Sequence, residues 1–335
     1  MNIQLSDHFD YKKLFRFVLP SICMMVFTSI YSVVDGFFVS NYVGKTPFAA
    51  LNLIYPLVQI IASLGFMLGA GGSAIVGKTM GEGDKERANK YFSMLVIATI
   101  VIATVSSAVT IPFLRPLSIL MGADESMIEH CITYATILLI GMLPFMLQNL
   151  FQALMITAQK PQLGFAVTVL AGCTNMFLDY LMVGVLSLGL AGAAWATIFS
   201  QFLSAVFSTV VGLRNFPILH LRREDFHDLK GAAVLHLKTG FPMGFQMSVM
   251  CIGQLAMQAV VNSLGTAAVA GYTAASKADQ LSVLVNNAMM TAISNYVAQN
   301  FGAGKKDRIR LGVRASLIQT EAFNILMCIG ILLLR

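Results

Sequence analysis

Hydrophobic residues run through this chain in long stretches that short polar segments interrupt. A helix needs about 20 apolar residues to cross the hydrocarbon core of a membrane, and nine stretches come near that length. They cover residues 17–39, 52–76, 91–111, 131–157, 163–186, 190–213, 240–264, 279–301 and 313–334. Because backbone groups in lipid must be hydrogen-bonded within their own segment, helices are the expected form. The pattern predicts an all-α polytopic membrane protein with nine spans.

The polar segments between these spans divide the basic residues unevenly. Of the 22 Lys and Arg residues, 18 fall on the side of the membrane that holds the amino terminus. The opposite side holds Lys45, Arg115, Lys277 and Arg335. Because basic loops stay in the cytoplasm, the pattern predicts a cytoplasmic amino terminus and a multi-pass protein of the inner (plasma) membrane. The bias also accounts for the net charge of +6 without a nucleic-acid partner, since the basic loops lack base-reading elements.

The composition excludes several other classes of function. Hydrophobic residues make up 57% of the 335 residues and charged residues 11%, whereas about a quarter of the residues in a soluble domain are charged. The five cysteines form no CxxC pair, and the five histidines form no HExxH motif, so neither a redox pair nor a zinc site is indicated. Because a DDxxD motif is also absent, we expect a protein that is not an enzyme and binds no organic cofactor.

The chain repeats itself at an offset of 221 residues. The segment "SAIVGKTMGEGDKERA" at 73–88 matches "SNYVAQNFGAGKKDRI" at 294–309, which pairs Gly81 with Gly302 and Gly83 with Gly304. One residue out of this register, "LPSI" at 19–22 faces "FPMG" at 241–244. The period contains six spans, an even number, so the second copy enters the membrane in the same direction as the first. The sequence therefore predicts parallel repeats related by an axis along the membrane normal.

The repeat divides the chain into three parts. Residues 1–213 form the predicted six-helix first lobe, residues 214–239 a cytoplasmic link, and residues 240–335 a second lobe with only three helices. We therefore expect a second lobe that lacks about three helices, and a chain that on its own is poorly stable and inactive in transport. The alternative is a natural nine-helix protein.

Two aspartates lie inside apolar spans with no basic residue nearby. Asp35 in the first span and Asp179 in the fifth are about equally far from the outer ends of their helices, and Thr197 in the sixth lies at the same depth. Asn175 is one helical turn from Asp179 on the same face. Two carboxylates cannot both stay charged in a dry site, so a proton or a cation must neutralise them. Oxygen ligands suit a hard cation, and these four residues predict a Na⁺ or H⁺ site; the alternative is a neutral acid with a structural hydrogen bond.

Other polar side chains in the spans extend this site. A secondary polar cleft is predicted from Tyr31, Gln148, Asn149, Gln152 and Gln201. At the 221-residue offset Asp35 corresponds to an alanine, and the seventh span carries no acid, so the second half does not repeat the Asp35 carboxylate. Proline at position 20, which we place at the start of the first helix, is a hinge candidate, although proline is also simply tolerated near a helix start.

Three segments carry a resemblance to a known family. The pattern "LP…VDGFFVSNYVG" at 19–44, the loop "GEGDKERA" at 81–88 and the segment "NMFLDYLMVGVLSLGLAGAAWATIFSQ" at 175–201 resemble the multidrug and toxic compound extrusion (MATE) family over essentially the whole chain. The resemblance implies two six-helix lobes around a central cleft and export of drugs, often cationic, against a Na⁺ or H⁺ gradient. The complete family fold has twelve helices, so this chain lacks the last three.

The resemblance is closest to the MepA-like and DinF-like branch, whose cation site lies in the amino-terminal lobe. It implies that Asp35, Asn175, Asp179 and Thr197 form this site and that Asn149 adjoins it. The other major branch relies on acids that begin in the seventh span, where this chain has none.

We therefore expect a secondary active multidrug efflux transporter that confers antibiotic resistance by antiport with Na⁺ or H⁺. It would export neutral or cationic drug-like molecules by alternating access, as a monomer in contact with membrane lipid. The alternative is a flippase or exporter of a specific lipid-linked or small metabolite. A large anionic cargo needs basic residues in the cleft, and the spans contain almost none.

Overall fold

The structure is a computed structural model that describes residues 11–215, 229–264 and 266–333. These residues form twelve α-helices and no strand, so the all-α prediction is confirmed. The helices are α1 (Tyr11–Phe38), α2 (Lys45–Phe66), α3 (Gly72–Gly81), α4 (Lys85–Thr110), α5 (Leu114–Leu120), α6 (Glu125–Ile140), α7 (Met142–Thr157), α8 (Pro161–Asp179), α9 (Gly189–Asn215), α10 (Leu229–Ser263), α11 (Thr266–Gly302) and α12 (Lys306–Leu333). Residues 11–215 are called the first half below, and residues 229–333 the second half.

Short turns of other helix types extend several of these helices into longer rods. A π-helical turn at Val39–Val43 follows α1, another at Met67–Gly71 joins α2 to α3, and a third at Tyr180–Val185 follows α8. A 3₁₀ turn at Ile111–Phe113 joins α4 to α5. If α6 and α7, which meet at a bend, are counted together, the described helices and turns fall into nine rods, one at each predicted span.

Local sequence signals explain where several rods begin. The Asp84 side chain caps α4 by accepting a hydrogen bond from the Arg87 N–H at 3.0 Å, and Asp124 caps α6 in the same way through the Met127 N–H at 3.0 Å. Aspartate is one of the residues that are favoured at the N-cap position of a helix. Hydrogen bonds from the Ser126 hydroxyl and then from the backbone lower the pKa of Asp124. These caps therefore fix two loop ends of the first half.

Most of the helical rods in the first half are long and apolar enough to span a membrane. Five rods of the described chain meet this condition, and a sixth does if α6 and α7, which meet at a 50° bend, count as one span. The five are Tyr11–Val43, Thr46–Gly81, Lys85–Leu120, Pro161–Val185 and Gly189–Val211. The protein is therefore a multi-pass membrane protein. The helices α10 to α12 lie at the last three predicted spans but do not meet the condition, so the count of nine spans stays a prediction.

Two helix starts differ from the sequence-based expectation. The helix α1 is already formed at Tyr11, because the amphipathic segment before residue 17 packs Leu14 into the core. Pro20 therefore lies inside α1 and not at its start, which corrects the prediction. The helix α10 begins at Leu229, within the predicted link at 214–239, and residues 216–228 of that link lie outside the described residues.

The two halves pack together at one end of the bundle. This end, called the basic end below, carries the loops that begin after Gly81, Thr157 and Gly302, and the first and last of these loops lead into a series of Lys and Arg residues. There α3 packs against α11, and α1 packs against α11 through a buried cluster that contains Phe17, Val18, Ala288, Ala292 and Tyr296. A separate buried core holds the first half together.

Candidate functional site

The helices of the first half enclose a cavity of about 290 Å³. Its walls come from α1, α2, α6, α7, α8 and α9. All but one of the predicted ion-site and cleft residues line it, namely Tyr31, Asp35, Gln148, Asn149, Gln152, Asn175, Thr197 and Gln201. The described walls contain no Lys or Arg. Residues far apart in the sequence therefore meet around one cavity whose described wall has no basic side chain.

Asp179 lies behind the wall of this cavity as the last residue of α8. Its side chain is fully buried, at 0% exposure, and Asn175 is 2% exposed. Among the described residues, neither carboxyl oxygen of Asp179 and neither polar side-chain atom of Asn175 has a hydrogen-bond partner. A buried polar atom without a partner is costly, so this pair needs a proton, an ion or water to satisfy it. The pair is therefore a candidate ion site, and the sequence-based assignment of these residues stays a prediction.

Asp35 faces this pair from α1. It is half-buried, and its enclosed Oδ1 also has no hydrogen-bond partner in the described part of the chain. The carboxyl groups of Asp35 and Asp179 lie within electrostatic range of each other. Two like charges at this depth repel each other across a medium that screens poorly. The pair therefore favours any state in which a cation or a proton is shared between them.

A glycine explains how the two aspartates come together. A methyl group added at Gly172 of α8 would lie 2.5 Å from Cε1 of Phe27 and 2.9 Å from Cδ1 of Tyr31. With the Phe27 and Tyr31 rings in these positions, a glycine lets α8 approach α1 this closely, and a larger residue would require the rings to move. Asn175 and Asp179 follow at one and two helical turns, so the close contact at Gly172 sets their distance from α1.

Both aspartates also lie just before a π-helical turn. Asp179 directly precedes the turn at Tyr180–Val185, and Asp35 lies four residues before the turn at Val39–Val43. Such turns are rare and frequently occur at functional sites, because they loosen the backbone hydrogen bonding of the helix. Nothing in the sequence pattern indicated them.

Thr197 and the cleft residues differ in how strongly the protein holds them. The Thr197 hydroxyl donates to the Ala193 carbonyl at 3.1 Å, which leaves its oxygen able to accept or to coordinate. Gln152 donates to the Thr168 hydroxyl at 2.9 Å and so ties α7 to α8. Gln148 is buried, and its Oε1 has no partner among the described residues. Gln148 is therefore the better candidate for contact with a bound molecule, and Gln152 is a structural tie.

Twelve of the described residues that line the cavity were not among the predicted site residues, and three of them are tyrosine or glutamine side chains. Tyr55 and Gln59 of α2 and Tyr134 of α6 also line the cavity. Tyr134 is 5% exposed and lies within electrostatic range of both aspartates. A tyrosine followed four residues later by a glutamine on one helix face was a usable signal in α2. The hinge candidate Pro20 is half-buried inside α1 and is not part of the cavity wall.

Comparisons with known proteins agree with this fold. The family model MatE matches residues 20–181 and 242–335. Among curated relatives, a probable multidrug resistance protein YpnP of Bacillus subtilis is 27% identical over 302 residues, which are 89% of this chain and 66% of the relative. A FAD transporter of Shewanella oneidensis is 24% identical over 320 residues, 93% of this chain and 70% of the relative.

A solved structure shares the fold of this chain. The crystal structure of MATE in the straight conformation is 23% identical, with a TM-score of 0.92 over 99% of this chain and 74% of the other. The chain thus spans about two thirds of the length of its relatives, and 66% of the first of them.

Proposed function

Since the chain belongs to the MatE family of transporters, we propose that it acts in a secondary active exporter that moves drug-like molecules against a Na⁺ or H⁺ gradient. The observation that carries the proposal is the Asp179 carboxyl, which is fully buried beside Asn175 and whose oxygens have no hydrogen-bond partner among the described residues. An embedded acid of this kind is costly and typical of an ion pathway.

The coupling step follows from the charges. Binding of Na⁺ or H⁺ at Asp35 and Asp179 neutralises their mutual repulsion and favours the arrangement in which α1 packs closely on α8. Drug binding in the adjoining cavity favours the other arrangement. Exchange between the two is alternating access by rocking of two repeats. We place the basic end in the cytoplasm of a plasma-membrane protein, since basic loops remain inside.

The cavity wall supports neutral or cationic cargo. Its aromatic and methionine side chains supply adaptable apolar surface, and they include Met24, Tyr31, Phe66, Met142 and Phe145. The two acids supply the negative charge that an organic cation needs. A bound drug and the coupling ion would therefore compete for the same carboxylates.

A second candidate is an exporter of a specific metabolite. The relative described as a FAD transporter favours it. FAD carries phosphates, and an anionic cargo is expected to need Lys or Arg in its site. The described wall of the cavity has neither, so we prefer the drug exporter.

The test is ethidium export from everted vesicles of cells that express the complete gene. Wild type is compared with Asp179→Asn under a sodium gradient and then under a proton gradient. Loss of export in the variant supports the proposal, and the effective gradient identifies the ion. Asn41→Ala, an exposed position on the π turn after α1, serves as a matched control. Export that survives Asp179→Asn would contradict the coupling role, and export of FAD but not of ethidium would favour the second candidate.

A further inference from the structure

The helices α3 and α11 cross at the basic end, and a glycine of each helix lies against the backbone of the other. A methyl group added at Gly81 of α3 would lie 2.0 Å from the Gln299 carbonyl oxygen and 3.1 Å from the Ala303 nitrogen. A methyl group added at Gly302 of α11 would lie 2.0 Å from the Lys78 carbonyl oxygen and 3.1 Å from the Glu82 nitrogen. The obstructing atoms are backbone atoms, which cannot turn aside as a side chain can. Both helices therefore approach as closely as their backbones allow.

The contact obeys the internal repeat. Gly81 and Gly302 are 221 residues apart, and so are their partners Lys78 and Gln299. The distances are the same in both directions. The pseudo-twofold axis that relates the halves therefore passes through this crossing.

Other contacts between the halves surround the crossing. The buried Thr157 hydroxyl of α7 donates to Oδ1 of Asn295 on α11 at 2.7 Å, and the Lys78 ammonium lies 5.7 Å from the centre of the Phe301 ring. The second half is much less covered toward the opposite end, where Ile252, Met257 and Val260 of α10 are each more than half exposed. The halves thus hold together at the basic end.

From this geometry we infer that the Gly81–Gly302 crossing is the gate that closes the basic end and that the two glycines set how tightly it closes. The inference rests on the proposed function, because an exporter that works by alternating access must open this end to load its cargo. An ordinary van der Waals contact begins at 3.4 Å, so a methyl group at either glycine forces a displacement of roughly 1.4 Å. Alanine at either position therefore disfavours the closed gate.

The first experiment measures closure without any transport. Glu82 and Ala303 are replaced by cysteine in a chain whose native cysteines are removed, and a short bifunctional thiol reagent links the pair in membranes. We expect efficient cross-linking in this background and a fall of at least about fivefold when Gly81→Ala or Gly302→Ala is added. The matched control is Gly253→Ala of α10, where an added methyl meets no atom of the described residues within 4 Å, and it should leave the yield unchanged.

A second cysteine pair reports on folding. Arg115 and Glu129 form an exposed ion pair at 3.2 Å within the first half, so cysteines there should cross-link in every folded variant. Unchanged cross-linking of the 82–303 pair in alanine variants that keep the 115–129 link would overturn the inference.

A locking experiment remains if both alanine variants fail to fold. The 82–303 cysteine pair is introduced, without either alanine substitution, into the protein expressed from the complete gene. Cross-linking this pair should stop ethidium export, whereas cross-linking the 115–129 pair should leave export intact. Export through the locked pair would contradict the gate. If the unlinked protein exports nothing, the proposed function fails, while the cross-linking yields still decide whether the glycines control closure.

Discussion

The two halves of the molecule match at one level of the membrane and differ at another. At the basic end Gly81 and Gly302 occupy equivalent positions and make identical contacts. Toward the opposite end, Asp35 of α1 is half-buried in the cavity wall, whereas its counterpart Ala256 of α10 is exposed. The repeat is therefore retained where the halves touch each other and lost where the first half encloses its acids. This difference separates a contact that both halves share from a cavity that the first half lines.

The largest effect is expected from removing the carboxylate that distinguishes the first half from the second. Asp35→Asn should reduce ethidium export by about 5- to 150-fold, the range that one to three kcal/mol of coupling free energy covers. Ala256→Asn, the matched change at the equivalent position of the second half, should leave export within about twofold. Initial rates in everted vesicles measure both. Equal losses in the two variants would show that the site is not confined to the first half.

Ion binding should stabilise the first half directly. Sodium at about 100 times its dissociation constant should raise the free energy of unfolding by ~2.7 kcal/mol, and Asp179→Asn should abolish the increase. Thermal unfolding in detergent, in sodium chloride and in potassium chloride at equal ionic strength, measures this. If Asp179→Asn keeps the sodium-dependent increase, the ion binds elsewhere. If wild type shows no increase, the coupling ion is not Na⁺.

The close approach of α8 to α1 should also be measurable as stability. Gly172→Ala should lower the free energy of unfolding by about 1–3 kcal/mol, because its methyl group overlaps Phe27 and Tyr31. Gly36→Ala is the control, since no atom of the described residues lies within 4 Å of its added methyl. Thermal unfolding curves compare the two. A neutral Gly172→Ala would mean that α1 is positioned by something other than this contact.

The smallest expected effect distinguishes two neighbouring glutamines. Gln152→Ala should cost about 1 kcal/mol of stability, because it removes the hydrogen bond to Thr168. Gln148→Ala should change stability less, since Oε1 of Gln148 has no hydrogen-bond partner among the described residues, but it should weaken ethidium binding. Unfolding curves and fluorescence titrations together test this assignment. The opposite result would exchange the roles of the two residues.

The sequence predicted the parts of this molecule that depend on local pattern. All nine rods lie at the predicted spans, because membrane helices must satisfy their own backbone groups. Asp35, Asn175 and Thr197 line one cavity as their depths suggested. What the pattern missed depends on packing between distant segments. In the sequence Tyr134 looks like one more residue of an apolar helix, and only the packing of α6 beside the acids places it in the cavity wall. The π turns have no composition signature, and the start of α1 at Tyr11 depends on the packing of Leu14.

The π turn at Met67–Gly71 has a consequence for the phase of the rod that contains it. On one side of the turn Tyr55 and Gln59 point to the cavity, and on the other side Gly77 and Gly81 face α11. An α-helix advances by about 100° per residue, so deletion of one residue from the turn would rotate one of these faces away from its target. The turn therefore sets the rotation of α3 relative to α2, and with it which residues of α2 line the cavity when Gly81 of α3 contacts α11.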